Sequence, residues 1–290
     1  MPIEMTAKKA AQFEKVRELA RTHGVEVLAH FYQRAEVKAA ADFVGGSMEV
    51  VERAARSQAE AVMMCGASFM AEEIRRRGLG RRLLCPREDL SCPLAEAVGL
   101  EELLAVRKLY PEVLLVTDMK ARPEIQALAD IEISPATAKE TLRSLGVQEI
   151  IALPGPQLVD WAGFGHMISV RWPKAVCQVH ELALKEDLAR AKSDHPDAKT
   201  AVNLLCRPEV RAGSDFVGDS AAIRDYCLKS KDREFIIVSE SGLAEYLAAT
   251  MPEKVFFETE AEIFCPNMKL TTLKSMADRL EKYAAEKESS

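Results

Sequence analysis

Residues 30–47 read HFYQRAEVKAAADFVGGS, and related stretches follow at 118–135, DMKARPEIQALADIEISP, and at 203–220, NLLCRPEVRAGSDFVGDS. Equivalent glutamates lie 88 and 85 positions apart, at Glu36, Glu124 and Glu209. Equivalent aspartates repeat that spacing, at Asp42, Asp130 and Asp215. The chain therefore consists of three similar repeats, and we expect a fold with pseudo-threefold symmetry.

Each repeat alternates short apolar segments with helical ones. Strands are predicted at 26–31, 42–45, 61–65, 82–85, 113–117, 131–133, 150–153, 167–170, 200–205, 215–217, 234–238 and 254–258. Helical connectors are predicted between the repeats, at 94–109 and 181–191. This alternation favours parallel sheets flanked by helices. We expect three three-layer α/β domains, at 1–97, 98–182 and 183–290, with ligands at the carboxyl ends of the strands.

The composition is that of a soluble globular protein, with 48% hydrophobic and 29% charged residues. The net charge of −6 gives no overall basic surface for nucleic acid. No apolar run approaches the roughly 18 residues of a membrane span. Residues 1–24 predict a surface helix that ends at Gly24 and has no signal-peptide core. We expect a cytoplasmic protein whose cysteines are reduced.

The seven cysteines fall into different settings. Cys92, Cys177 and Cys265 lie 85 and 88 residues apart, each in a loop after the last predicted strand of its repeat. A pseudo-threefold fold can aim these three thiols at one central point, as ligands of a metal cluster. Apolar surroundings predict buried free thiols for Cys65, Cys85 and Cys227, whereas Cys206 receives no role.

Two kinds of metal centre fit three convergent thiols. A structural zinc ion needs a fourth protein ligand, which His180, three residues beyond Cys177, would supply. A [4Fe–4S] cluster with three thiolate ligands leaves one iron open, and such an iron acts as a Lewis acid on a hydroxyl or carbonyl oxygen. The residues by themselves leave both centres open.

The chain resembles the quinolinate synthase family over nearly its full length. The matching motifs are HFYQ at 30–33, ADFVGGS at 41–47, CGASFMAE at 65–72, WPKAVCQVH at 172–180 and CPNMK at 265–269. The resemblance implies a triangle of three α/β domains around a central [4Fe–4S] cluster, with Cys92, Cys177 and Cys265 as its ligands. It also implies condensation of iminoaspartate with dihydroxyacetone phosphate, followed by dehydration to quinolinate.

The second and third repeats depart from the family pattern. Six positions before each repeat's glutamate the family has His, Tyr and His, and this chain has His30, Asp118 and Asn203. Two positions further on the family has Tyr, Asn and Glu, and this chain has Tyr32, Lys120 and Leu205. At the next helix start the family has Ser, Ser and Thr, and this chain has Ser47, Pro135 and Ser220. We therefore expect a divergent member that forms little or no quinolinate from these substrates.

The remaining groups suggest how a substrate would be handled. His30 and Tyr32 are the predicted proton-transfer groups, with His180 as a further catalytic candidate. Candidate substrate-binding residues are Ser47, Ser220, Lys120, Asp118, Asn203 and Arg207. The two serines fall at helix starts, which bind anions through backbone N–H groups, although a helix cap would also explain them. Lys120 would attract an anion that Asp118 would repel.

The predicted activity is condensation or dehydration of a small substrate carrying phosphate or carboxylate. Iron–sulfur assembly machinery is the expected protein partner, and neither nucleic acid nor membrane is expected to bind. Three alternatives stay open at this point: a true quinolinate synthase with a rearranged site, a sulfur-transfer enzyme that uses the open iron, and a non-catalytic iron–sulfur sensing protein.

Overall fold

The protein is an α/β chain with three parallel sheets. The computed structural model describes residues 6–78 and 80–289, and the strands in that part of the chain form four-stranded sheets of one order, β2-β1-β3-β4, β6-β5-β7-β8 and β10-β9-β11-β12. The strands are β1 (Val25–His30), β2 (Phe43–Gly45), β3 (Ala61–Cys65), β4 (Arg82–Leu84), β5 (Leu114–Thr117), β6 (Ile131–Glu132), β7 (Ile150–Leu153), β8 (Ile168–Val170), β9 (Lys199–Asn203), β10 (Phe216–Gly218), β11 (Glu234–Val238) and β12 (Val255–Phe257). The predicted α/β class is confirmed.

Helices connect the strands in each sheet. They are α1 (Ala7–Thr22), α2 (Ala35–Ala40), α3 (Ser47–Arg56), α4 (Ser68–Arg76), α5 (Leu100–Leu109), α6 (Pro123–Gln126), α7 (Ala138–Ser144), α8 (Gln157–Ala162), α9 (Lys185–Asp194), α10 (Pro208–Ala212), α11 (Ser220–Lys229), α12 (Ser241–Thr250) and α13 (Leu273–Glu288). Short 3-10 helices lie at Gly165–Met167, His180–Leu182 and Asn267–Leu270. No helix among these is long and apolar enough to cross a membrane.

The chain divides into two compact units. The first contains Met1–Leu90, Glu240–Pro252 and Phe264–Ser290, and the second contains Ser91–Ser239 and Glu253–Ile263. In the first unit, buried side chains of β1 and β3 pack with Met276 and Leu280 of α13. In the second unit, separate apolar clusters form around the sheet of β5 to β8 and the sheet of β9 to β12. The domain limits at 97 and 182 stay a prediction.

The repeated aspartates secure the first strand of each sheet. Each carboxylate accepts a backbone N–H from that strand: Asp42 from Val27 at 2.9 Å, Asp130 from Leu115 at 2.7 Å and Asp215 from Thr200 at 2.8 Å. A cation lies beside each, namely Arg17, Arg107 and Lys199. Charge-assisted hydrogen bonds of this kind are stronger than neutral ones. The aspartate repeat therefore has a structural cause.

Some predicted boundaries are wrong. The connector predicted as one helix over 94–109 is helical only from Leu100, where α5 begins after Gly99; residues 94–96 form a turn and residues 97–98 a bend. The connector at 181–191 is divided into a 3-10 turn, His180–Leu182, and α9. The N-terminal helix is confirmed for Ala7–Thr22 and ends before Gly24, whose φ of 65° requires a left-handed backbone; residues 1–5 lie outside the described residues.

Replacing Asp215 by Asn should destabilise the third sheet. Asp215 Oδ2 accepts from the N–H of Thr200 at 2.8 Å and from its hydroxyl at 2.7 Å. Burial raises the pKa of Asp215, but these hydrogen bonds and nearby lysines outweigh that effect and hold it below its ordinary value. Because the side chain is partly exposed, we expect Asp215→Asn to lower the free energy of unfolding by about 1 kcal/mol at pH 7, measured by urea denaturation.

The pH dependence of this effect has a defined sign. A carboxyl with a lowered pKa in the folded state stabilises the fold above its unfolded-state pKa of about 3.9 and loses that contribution as the pH falls through the folded value. The difference between Asp215→Asn and the wild type should therefore narrow below pH 4. Asp197→Asn, at an exposed position, is the control, and a difference that stays constant with pH would contradict the assignment.

Candidate active site

The first strand of each sheet ends in the same hydrogen-bonded turn. A side-chain acceptor receives the backbone N–H two positions further on: His30 Nδ1 from Tyr32 at 3.1 Å, Asp118 Oδ1 from Lys120 at 2.7 Å and Asn203 Oδ1 from Leu205 at 3.0 Å. Such acceptors offer the backbone an alternative to the strand ladder. The strand predicted over 200–205 accordingly ends at Asn203. Three chemically different residues thus accept the same turn hydrogen bond at the end of the first strand.

In the first unit, His30 and Tyr32 lie edge to face. Their ring centroids are 4.5 Å apart and their planes are inclined by 82°. His30 is buried, whereas Tyr32 is half-buried. Because Nδ1 accepts the Tyr32 N–H, a neutral His30 carries its proton on Nε2. Nε2 is therefore the ring atom through which His30 can donate a proton to a ligand.

The two candidate binding serines are the first residues of their helices. Ser47 begins α3, where Glu49 accepts the N–H of Gly46 at 2.9 Å. Ser220 begins α11, where the carboxylate of Asp219 is the capping group. Neighbouring carboxylates therefore satisfy N–H groups at both helix starts. Capping, the alternative considered from the sequence, does not account for the serine hydroxyls.

The side chain of Asn203 is a buried polar group at the carboxyl edge of the third sheet. Asn203 Nδ2 donates to the hydroxyls of Ser239 at 3.2 Å and Ser220 at 3.5 Å. All three residues are buried. Sequence reasoning missed Ser239, although its position directly after the predicted strand 234–238 was a usable signal, because neighbouring parallel strands end at one edge. The amide that replaces the family's histidine is therefore engaged by two hydroxyls.

Asp118 and Lys120 form an ion pair in the second unit. Lys120 Nζ lies 3.2 Å from Asp118 Oδ2, and both side chains are largely buried. Burial lowers the pKa of Lys120, but the charge and hydrogen bond of Asp118 outweigh it, so that the pKa lies above its ordinary value. Lys120 is therefore a protonated cation at neutral pH. Lys120 is predicted to attract an anionic substrate and Asp118 to repel one. Because the two charges are paired, their effects on an anion largely cancel.

The candidate Arg207 and Arg122, which occupies the equivalent position of the second repeat, have local acidic partners. Arg207 Nε lies 3.1 Å from Glu181 Oε2, and Arg122 Nη2 lies 2.5 Å from Glu124 Oε1. Arg207 and Arg122 are each about two-fifths exposed, at 39% and 44%. Exposed ion pairs of this kind contribute only about 0–1 kcal/mol each to stability. They are consistent with solvated side chains at the starts of α10 and α6.

Cys65, Cys85 and Cys227 are buried as the sequence predicts, and Cys206 is buried as well. Cys92, Cys177 and Cys265 are half-buried, and the other four are buried. Burial raises the pKa of Cys65, Cys85, Cys206 and Cys227, which makes them poor thiolates. The pKa of Cys92 is raised as well, because burial outweighs the opposing effects of the backbone N–H groups of Ala95 and Leu94 and of the Lys120 charge.

His180 lies against one of the half-buried thiols. Its Nδ1 is 3.2 Å from Cys177 Sγ, and the residue is buried. Burial, and secondarily the charge of Lys120, lowers the pKa of His180 to about 3. The imidazole is therefore neutral at physiological pH. Lys120 also acts on Cys92, so one cation influences both candidate ligand loops of the second unit.

Comparison with known proteins identifies the family. The family model described as Quinolinate synthetase A protein matches residues 14–288. Quinolinate synthase of Thermodesulfovibrio yellowstonii is 34% identical over 271 residues, covering 92% of this chain and 89% of that protein. Quinolinate synthase 1 of Methanosarcina acetivorans is 32% identical over 276 residues, covering 95% and 90%.

The chain belongs to the quinolinate synthase family. The expected resemblance is thereby confirmed, and the chain is an enzyme of the quinolinate synthase type. Cys92 and Cys177 lie in its second unit, and Cys265 lies in the first.

The thiols of this quinolinate synthase family member fit an iron–sulfur cluster by their chemistry. Among residues 6–78 and 80–289, no three His, Cys, Asp or Glu side chains are grouped closely enough to hold a metal ion. A [4Fe–4S] cluster distributes its thiolates over separate irons. Backbone N–H donors at Cys92 are the kind of group that tunes cluster sulfurs. A cation such as Lys120 also favours the thiolate form.

Breaking the Asp118–Lys120 pair should destabilise the second unit. Asp118→Asn leaves Lys120 charged without its buried partner, and we expect the free energy of unfolding of the apoprotein to fall by about 2 kcal/mol. Because the folded-state pKa of Lys120 is raised, its contribution is present at neutral pH and is lost only as the pH rises through that value. Urea denaturation at pH 7 measures the effect.

Glu124→Gln is the matched control for this prediction. Glu124 forms a pair with Arg122 in the adjacent turn, but the pair is exposed and should contribute at most about 1 kcal/mol. If Asp118→Asn and Glu124→Gln lower the free energy of unfolding equally, the prediction that burial makes the Asp118–Lys120 pair the more important one is contradicted.

Proposed function

We propose that this chain is a divergent enzyme of the quinolinate synthase type. Its substrate would be a small phosphate- or carboxylate-bearing molecule, other than the pair iminoaspartate and dihydroxyacetone phosphate, and its reaction a condensation or dehydration. One observation carries the proposal. Two rewritten residues of the second repeat, Asp118 and Lys120, form an ion pair with each other, and the rewritten Asn203 of the third repeat donates a hydrogen bond to Ser239.

The rewritten residues differ from the family's residues in their ability to transfer protons and to bind charged groups. A side-chain amide cannot transfer protons near neutral pH as a histidine does, and Leu205 has no polar group. Lys120 brings a cation whose charge is balanced by Asp118. Loss of a positioned acid or base typically costs about 10²–10⁴ in rate. The family's own reaction would therefore be slow here, whereas a substrate matched to a lysine and an amide would be accepted.

The proposed cofactor is a [4Fe–4S] cluster held by Cys92, Cys177 and Cys265. When bound by three thiolates, it supplies an iron without a protein ligand, which is a Lewis acid toward a hydroxyl or carbonyl oxygen. The half-buried state of these three cysteines, in contrast with the other four, supports this ligand set. His180 would orient Cys177 through the contact at 3.2 Å.

The first repeat would supply the proton transfers. His30 Nδ1 accepts the Tyr32 N–H, so Nε2 is the ring atom that would carry the transferred proton. The Tyr32 ring packs edge to face on His30, which keeps both groups in one orientation. Ser47 and Ser220, at the starts of α3 and α11, would bind phosphate or carboxylate oxygens through their hydroxyl groups.

The ligand set predicts which cysteines matter. After anaerobic reconstitution the wild type should contain about four irons and four sulfides per chain. Cys92→Ser, Cys177→Ser and Cys265→Ser should each lose most of this iron, because an alcohol is a poor ligand for it, and iron and sulfide analysis measures the loss. Cys65→Ser, Cys85→Ser and Cys227→Ser are the controls, and full cluster content in Cys177→Ser would contradict the assignment.

The divergent activity predicts a negative result in a direct assay. The reconstituted enzyme, given iminoaspartate and dihydroxyacetone phosphate without oxygen, should form little or no quinolinate. The Thermodesulfovibrio yellowstonii enzyme, treated identically, is the positive control. Quinolinate at rates on the order of 0.1–10 s⁻¹, which are typical of enzymes, would refute the divergent function and assign the family's own reaction. A variant with Asn203→His and Leu205→Glu should raise any trace activity.

A further inference from the structure

The segment that carries Cys265 is held by one buried carboxylate. Glu240, fully buried at the start of α12, accepts from Lys269 Nζ at 2.9 Å and from the backbone N–H of Cys265 at 3.3 Å through Oε1. Its Oε2 accepts the N–H of Gly242 at 2.8 Å. Glu240 therefore ties α12 to both ends of the segment from Cys265 to Lys269.

The turn that carries His30 and Tyr32 reaches the same segment from another direction. Arg34 Nε donates to the backbone carbonyl of Lys269 at 2.6 Å. Gln33, which is fully buried, places Nε2 3.6 Å from Met268 Sδ. The candidate proton-transfer turn and the candidate ligand loop are thus attached to one short piece of chain.

Gly242 lies at the junction where Glu240, Lys269 and the Phe31 carbonyl meet, and this junction has no space for a side chain. A Cβ atom at this position would lie 2.7 Å from the carbonyl oxygen of Phe31, 2.8 Å from Glu240 Oε2 and 2.9 Å from Lys269 Nζ. Because the Phe31 oxygen belongs to the backbone, it cannot turn aside. Lys38 Nζ completes the junction by donating to the Gly242 carbonyl at 2.5 Å. The glycine is required by this close approach.

We propose that Glu240 and Lys269 are positioning residues that set the Cys265 loop and the His30–Tyr32 turn in one fixed arrangement. A buried ion pair contributes little net stability, since desolvation offsets its attraction, but it requires one geometry. The pair joins two elements that Arg34 and Gly242 then attach to the turn. The inference rests on the proposed function only for the ligand role of Cys265, and its contacts can be tested without a cluster.

Hydrogen exchange of the apoprotein tests the contacts. We expect Glu240→Gln to increase amide exchange about tenfold in peptides covering 264–270 and also in peptides covering 30–34. In the wild type, local opening of these segments must break the Glu240–Lys269 ion pair, and without the pair opening costs less free energy. Glu73→Gln is the matched control, since Glu73 is also buried and pairs with Arg76 and Arg77 at the C-terminal end of α4. Unchanged exchange at 30–34 in Glu240→Gln, or an equal increase in Glu73→Gln, would overturn the proposal.

Two further variants separate positioning from charge balance. Gly242→Ala forces the junction apart without removing a charge, and it should increase exchange in the same two segments even if Glu240→Gln does not fold. The double variant Glu240→Gln with Lys269→Met removes both charges. If it restores wild-type exchange, the two residues serve only to neutralise each other and the proposal fails; if exchange stays raised at both segments, positioning is supported.

Reconstituted protein supplies a second readout. Glu240→Gln should change the electron paramagnetic resonance spectrum or the reduction potential of the bound cluster, whereas Glu73→Gln should leave both unchanged. An unaltered spectrum and potential in Glu240→Gln would contradict the link to Cys265. If the wild type binds no cluster, the proposed function fails, and the exchange experiment still decides the positioning role.

Discussion

The site depends on a hydrogen bond at the end of the first strand of each sheet. A side-chain acceptor receives the N–H two residues on, which ends the strand and leaves that residue at the carboxyl edge. Histidine, aspartate and asparagine can all accept this bond. The constraint allows one turn geometry to present a proton donor, an anion or an amide, and it explains how the second and third repeats can differ chemically while the fold stays the same.

The hydrogen bond also limits what each residue can do. At His30 it occupies Nδ1, so that a neutral imidazole carries its proton on Nε2. At Asp118 it occupies one carboxylate oxygen, and the other oxygen pairs with Lys120. At Asn203 it occupies the amide oxygen, and the amide nitrogen contacts Ser239. In each turn, one polar side-chain atom accepts the turn hydrogen bond, and the chemistry of the other polar atom differs from repeat to repeat.

Burial decides the electrostatics of the second unit. The field of Lys120 reaches the Cys92 thiol and the His180 imidazole, and its charge is in turn set by Asp118. In the first unit the Glu240–Lys269 pair has a comparable position beside Cys265. Each unit therefore places a lysine–carboxylate pair next to a candidate ligand loop, although the two pairs come from unrelated points in the repeat.

The sequence determined the α/β class, the threefold repetition, most strand positions and the burial of Cys65, Cys85 and Cys227. These follow from local periodicity and from spacing, which are written along the chain. Only the tertiary structure revealed the pairing of Asp118 with Lys120, the role of Ser239 and the junction of Glu240 with Lys269. Such contacts depend on side-chain direction and on residues far apart in sequence, as with Arg34 and Lys269. Periodicity cannot show which buried polar groups meet, because a buried polar group is settled by whichever partner the packed fold brings within hydrogen-bond distance.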